Sequence, residues 1–162
     1  MNDVTDQINQ SKHSEDMLKS ISFRLLEKQD FHKGFLQVLN QLAPVDDFSE
    51  KSFLKNFDEM MKQNKRIYVG EVDGKLVATG TLLLERKFFF KGSYFGHIED
   101  IVVDEKYRGK GYGRQLMIRL VEDAKEYNCA RCVLDCIDNK VEFYKKCGFY
   151  RRGNQMNYEI HR

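Results

Sequence analysis

The segment RGKGYGRQL, residues 108–116, alternates three basic side chains with three glycines at the junction of two apolar patterns. Upstream, FGHIEDIVVD (95–104) reads as a strand. Downstream, Leu116, Met117, Leu120, Val121 and Ala124 recur with helical spacing from about Gly113 to Tyr127, with Arg119, Glu122, Asp123 and Lys125 on the wet side. A strand that passes into a helix through so short a link needs backbone angles that glycine adopts freely. A helix N-terminus is the positive end of the helix dipole, so Arg108, Lys110 and Arg114 repel it unless an anion sits there. Exposed N–H groups in such a turn form a nest suited to a pyrophosphate. Two familiar phosphate loops are excluded. A Walker loop needs Lys-Ser/Thr after its last glycine, and here Gly113 is followed by Arg114 and Gln115. The dinucleotide fingerprint needs G-x-G-x-x-G, and this turn is G-x-G-x-G.

Strands and helices surround that unit. ISFRLL (21–26) reads as a first strand. Asp30 can cap a helix carrying Phe31, Phe35, Val38, Leu39 and Leu42, which Pro44 stops. Ser49 can cap a second helix with Phe53, Leu54, Phe57, Met60 and Met61 inside. RIYVGEVD (66–73) and KLVATGTLLLER (75–86) flank Asp73-Gly74, a hairpin turn signal. RCVLDCI (131–137) reads as a strand, NKVEFYKKCGF (139–149) as a short helix ended by Gly148, and RGNQMNYEI (152–160) as a final strand. The order predicts an α/β fold with a mixed sheet and helices on its faces. Residues 1–20 read as a flexible polar tail and residues 21–162 as a single domain.

Composition narrows the function. Net charge is +2, from 27 basic and 25 acidic residues, so no footprint for a nucleic-acid partner is present. Cys129, Cys132, Cys136 and Cys147 lack the paired short spacings of a zinc site and read as reduced thiols, with no metal expected. No apolar leader and no apolar run of about 18 residues occurs, which argues against an integral membrane segment and for a cytoplasmic protein.

RGKGYG resembles the Q/R-x-x-G-x-G/A turn of the GNAT superfamily of acetyl-CoA-dependent N-acetyltransferases, as do its place after HIEDIVV and the later VEFYKKCGF. The blocks VATGTLLLERKF, GHIEDIVV, RGKGYG, VLDC and FYKKCGF, in that order, closely resemble the glucosamine 6-phosphate N-acetyltransferases within it. The resemblance runs from about residue 21 to the C-terminus. It implies the GNAT fold, a mostly antiparallel twisted sheet whose splayed strands hold acetyl-CoA. It implies that the pantetheine arm pairs with the backbone of Ile101, Val102 and Val103. It further implies that the pyrophosphate lies on Arg108, Gly109, Lys110, Gly111, Tyr112, Gly113 and Arg114, with Asn139, Tyr144 and Lys146 as further cofactor contacts. The reaction implied is direct transfer of an acetyl group to the amine of the sugar phosphate in a ternary complex, within UDP-N-acetylglucosamine biosynthesis.

That chemistry needs a neutral amine, a donor for the developing oxyanion and a donor for the departing sulfur. Glu99 and Asp100 are adjacent, so on a regular strand they face opposite ways, and only a bulge brings both to the amine. The family carries a bulge there. The resemblance makes Asp135 in VLDC a sugar or amine contact and Tyr144 the donor to the leaving sulfur. Arg86, Lys87 and His97 are the candidates for the phosphate. Three positions depart from the family pattern: Phe90 stands where a histidine is common, Ala43-Pro44 where a threonine pair is common, and Lys140 where an asparagine is usual, with Asn139 one place earlier. The resemblance also implies a homodimer formed through the last strand. Two alternatives stay open at this point: an acetyltransferase for a protein or polyamine amine, and an acetyl-CoA-binding domain without turnover.

Overall fold

A computed structural model describes residues 20–45 and 48–160. The expected tail, residues 1–20, lies outside the described residues except for Ser20. The strands are β1 (Ser22–Leu25), β2 (Lys65–Val72), β3 (Lys75–Arg86), β4 (Tyr94–Val103) and β5 (Cys129–Val133). The α-helices are α1 (Phe35–Leu39), α2 (Glu50–Met61), α3 (Tyr112–Glu126) and α4 (Val141–Lys146). The five strands lie side by side in chain order. Every neighbouring pair is antiparallel except β4 with β5, which α3 connects as a parallel crossover.

Each face of the sheet is closed by its own helices. Leu116, Met117, Leu120 and Ala124 of α3 pack on Ala78, Leu82, Leu84 and Ile98, with Phe143 and Tyr144 of α4 beside them. On the other face, Phe35 of α1 and Phe53 of α2 pack on Leu26, Ile67, Val69 and Leu76. Leu82, Leu116 and Leu120 are fully buried, each worth roughly 1.5–3 kcal/mol against exposure.

Local signals set several boundaries. Ser49 caps α2, its side chain accepting from the Ser52 N–H at 3.2 Å. Asp73 and Gly74 both take left-handed angles in the β2–β3 hairpin. Gly148 follows α4 at φ 92°, and the N–H groups of Gly148 and Phe149 return to the carbonyls of Lys145 and Tyr144.

Other expectations are corrected. The first helix is broken: a 3-10 turn spans Lys28–Lys33, Gly34 is left-handed at φ 88°, and α1 is only five residues long. Asp30 is fully buried and takes Arg24 in a two-pronged pair at 2.7 Å, while also accepting the Glu27 N–H. Asp123, expected on the wet side of α3, is also buried, because Arg66 of β2 bonds it. The strand expected at 131–137 ends at Val133. The strand expected at 152–160 is absent: those residues are irregular and exposed.

Candidate active site

β4 and β5 pair from Tyr94–Cys129 to His97–Val133 and then diverge. β4 runs on to Val103 against β3 alone, which leaves the β5-facing edge of residues 98–103 open. A cavity of about 910 Å³ fills the split, with Glu99, Asp135, Cys136 and Tyr144 on its walls. An open β edge beside a cavity can take an extended ligand with amide groups as an added strand.

The β3–β4 register slips by one residue between Thr79 opposite Val102 and Thr81 opposite Glu99. The slip is a bulge, and Asp100 carries its left-handed angle at φ 56°. Gly80 faces it, where an added Cβ would lie 2.5 Å from Ile101 Cδ1. The bulge cancels the alternation between neighbours. Glu99 shares a face with its partner Thr81. Asp100 lines a cavity on that face together with Thr79 and Thr81. Both carboxylates are exposed, Glu99 on the wall of the split and Asp100 on the wall of the other cavity.

The basic candidates do not gather as expected. Lys87 and His97 converge on the Glu85 carboxylate, with His97 Nε2 2.7 Å from Glu85 Oε2. The Lys87 and His97 bonds hold the Glu85 carboxyl below the usual carboxylate range. Arg86 is separate: it pairs with Tyr94 and stacks 4.8 Å from that ring. A further basic residue that the sequence analysis did not single out, Arg131, lies near the Lys87 cluster. Arg131 lies 4.7 Å over Phe95 and 5.2 Å over Phe90, and the Lys87 ammonium lies 5.3 Å from the same Phe95 ring. The available signal was the alternation Arg131, Val133, Asp135 in RCVLD, which sets those residues on one side of an extended chain. Phe90, at the departure from the family pattern, thus holds an arginine by its ring.

At the other end of the open edge lies the glycine turn. Gly109 and Gly111 are left-handed at φ 78° and 80°, and an added Cβ on either meets nothing within 4 Å. Gly111 is the N-cap of α3 and gives no side-chain cap, so the first-turn N–H groups face outward. Gly113 packs closely, its added Cβ 3.3 Å from Phe143 and 3.6 Å from Val103, which seats the turn between β4 and α4. Arg108 Nε donates to the Val103 carbonyl at 2.9 Å. Asn139 is exposed in the 3-10 turn before α4, and Lys146 is exposed at that helix's end.

Tyr144 is half-buried between Phe143 and Phe149, at ring distances of 5.0 and 6.3 Å, on the wall of the split. Burial is the main cause that raises its phenol above the ordinary value, and the neighbouring Cys136, Cys147 and Asp135 add to it. The hydroxyl therefore stays protonated at neutral pH. The four cysteines are free and also line this cavity, and burial pushes Cys132 up to about 11.

The residues fit an acetyl-CoA molecule: an open edge for its amides, a glycine nest for its phosphates and a neutral hydroxyl beside the cavity.

Known proteins agree with this geometry. The model of the Acetyltransferase (GNAT) family matches residues 30–149. The chain is 39% identical to the Probable glucosamine 6-phosphate N-acetyltransferase 2 of Oryza sativa subsp. japonica, over 85% of this chain and 86% of that protein. It is 38% identical to Glucosamine 6-phosphate N-acetyltransferase 1 of Dictyostelium discoideum, over 85% of this chain and 89% of that protein. The crystal structure of the glucosamine-6-phosphate N-acetyltransferase from Arabidopsis thaliana superposes with a TM-score of 0.85 at 33% identity, covering 88% of this chain and 100% of the other. The split sheet, the glycine turn and the match along the chain lead to one assignment: this protein is a member of the GNAT family of acetyltransferases.

Proposed function

We propose that the chain transfers the acetyl group of acetyl-CoA to the amine of glucosamine 6-phosphate, giving N-acetylglucosamine 6-phosphate and CoA. The observation that carries this reading is the bulge at Asp100. It sets Glu99 and Asp100 on one face, and Glu99 lines the split together with His97 and Arg131, which supports a reading of carboxylates for an amine and basic side chains for a phosphate on one acceptor side. The relatives' names point to the same acceptor.

Acetyl-CoA brings an activated thioester, and the chain's task is alignment. The Gly109–Gly113 turn holds the pyrophosphate, with Arg108, Lys110 and Arg114 adding charge. The backbone of Ile101 and Val102 pairs with the pantetheine amides. Glu99 and Asp100 orient the ammonium and pass its proton to water, leaving a neutral amine. Asp135, on the opposite wall of the split, holds a sugar hydroxyl or the amine. Tyr144 donates its hydroxyl to the sulfur as that atom gains charge. A second copy of the chain completes the picture: Tyr150, Met156, Tyr158 and Ile160 are at least 75% exposed, and an added strand from a partner covers them. Among the described residues, no helix is long and apolar enough to cross a membrane.

The test is an assay of CoA thiol release with acetyl-CoA and glucosamine 6-phosphate, paired with mass analysis of the sugar. The reading requires one acetyl group gained per thiol released. Absence of release with this sugar overturns it.

A further inference from the structure

All four cysteines of the chain, Cys129, Cys132, Cys136 and Cys147, line the split, and all are free thiols. Acetyl transfer uses none of them, yet one of its products, CoA, is itself a thiol. Among the described residues, no group of His, Cys, Asp or Glu side chains is placed to hold a metal ion. Thiol chemistry is what this cluster offers.

Backbone placement singles out Cys136. Cys132, Leu134 and Cys136 are two residues apart, so they share one side of an extended chain. Cys132 and Leu134 pack on the core with Tyr144 and Cys147. β5 ends at Val133, and residues 134–137 run on in irregular backbone, across the split from the open edge of β4. Cys136, the last of the series, is half-buried on the cavity wall beyond the strand pair. Cys136, Cys147 and Asp135 all lie close enough to act on the Tyr144 phenol. A CoA sulfur held by the Tyr144 hydroxyl therefore has the Cys136 thiol as a neighbour. Cys147 is the poorer candidate: it packs on the core, and burial raises its thiol above the ordinary value.

We propose that Cys136 is a modification site, which exchanges with the disulfide of CoA to give a Cys136–S–S–CoA adduct that fills the split and shuts out acetyl-CoA until a thiol reduces it. The Cys136 thiolate attacks one sulfur of the CoA disulfide. That S–S bond breaks as the new one forms, and the departing CoA thiolate takes up the proton that Cys136 lost. The CoA disulfide is the only oxidant needed. This inference rests on the proposed place of acetyl-CoA in the split. The glycine turn that takes the pyrophosphate of the acetyl donor would also take that of the disulfide, and a disulfide without a pyrophosphate lacks this hold.

The experiment treats the reduced full chain with CoA disulfide or, as the probe without a pyrophosphate, with glutathione disulfide. Intact mass and peptide mapping are the readouts. One CoA per chain should add at Cys136, about tenfold faster than glutathione adds. Saturating acetyl-CoA should slow the addition about tenfold, and dithiothreitol should remove the adduct. Thiol release with glucosamine 6-phosphate should fall as the adduct forms and return with the reductant. Cys136→Ser should take up no CoA. No adduct, an adduct on another cysteine, an internal disulfide in its place, equal rates with the two disulfides, or no protection by acetyl-CoA overturns the assignment. These arms use the unsubstituted chain and do not depend on any variant folding. An adduct that leaves the rate unchanged overturns the block. If the untreated chain releases no thiol with the sugar, the proposed function fails, while mass and mapping still decide the modification.

Discussion

Tyr144 illustrates how much of the account rests on single side chains. A phenol packed between two phenylalanine rings is what an ordinary core tyrosine looks like, yet this one borders the split and is held neutral mainly by burial. Its two roles separate on substitution. Tyr144→Phe keeps the packing, so a structural tyrosine predicts an unchanged rate. A donor to the departing sulfur predicts a fall of about 10²-fold in the single-turnover rate, or roughly 2.7 kcal/mol, since the bond strengthens as charge develops. Single-turnover measurements at saturating acetyl-CoA and sugar phosphate distinguish them. Gly80 gives a second test at this scale. Its added Cβ would meet Ile101 at 2.5 Å, so Gly80→Ala must push the bulge. An activity loss of tenfold or more with a cooperative, only slightly lowered thermal unfolding is expected. Cys132 gives a third: a thiol pushed up to about 11 is almost wholly protonated at pH 8. In the native chain it should resist alkylation at that pH and react fully in denaturant, as peptide mapping by mass spectrometry would report.

At the scale of elements, local chemistry was readable and cross-strand geometry was not. Ser49, Asp73-Gly74 and Gly148 each act within a few residues, and the structure uses each as a cap or turn. The bulge at Asp100 was legible only through the family resemblance, because a register slip depends on what β3 places opposite. Arg131 was missed for the same reason: its neighbours Phe90 and Phe95 come from the β3–β4 connection and β4. Asp30 looked like a helix cap, and only the fold brings to it Arg24, which also bonds Glu71. That network has a pH signature. Burial opposes the Asp30 charge, but the bonds from Arg24 and the Glu27 N–H outweigh it and hold the carboxyl below its ordinary value of 3.8. A lowered carboxyl stabilises the fold above the unfolded value and loses that stabilisation as pH falls through the folded one. Asp30→Ala should cost about 3 kcal/mol at pH 7, because Arg24 keeps a charge without its closest partner. It should also flatten the loss of stability below about pH 4, the unfolded value. Urea unfolding between pH 7 and pH 3 measures both effects. In the glycine turn, Gly111→Ala forces an L-residue to φ 80° at about 1–2 kcal/mol. The new methyl also protrudes into the space before α3, so affinity for acetyl-CoA should fall at least tenfold in titration calorimetry.

At the scale of the whole molecule, the proposed function joins the sheet's split to an acceptor face that takes an anion. The order of elements and the layered architecture were legible from periodicity, while residues 152–160, expected as a last strand, are irregular and exposed. The central claim is that the cations beside the Glu99–Asp100 bulge select a phosphate. Lys87 and His97 are engaged with Glu85, and Arg131 is held by its aromatic neighbours, so these side chains are positioned before any substrate arrives. The most direct measurement is the ratio of kcat/KM for glucosamine 6-phosphate to that for glucosamine, taken with acetyl-CoA at moderate ionic strength. The account predicts a ratio of at least 10², the discrimination expected when a charge-assisted contact worth about 1.5–3 kcal/mol is made more than once. It also predicts that Arg131→Ala reduces the ratio mainly by lowering efficiency on the phosphorylated sugar. Equal efficiency on the two sugars would contradict it.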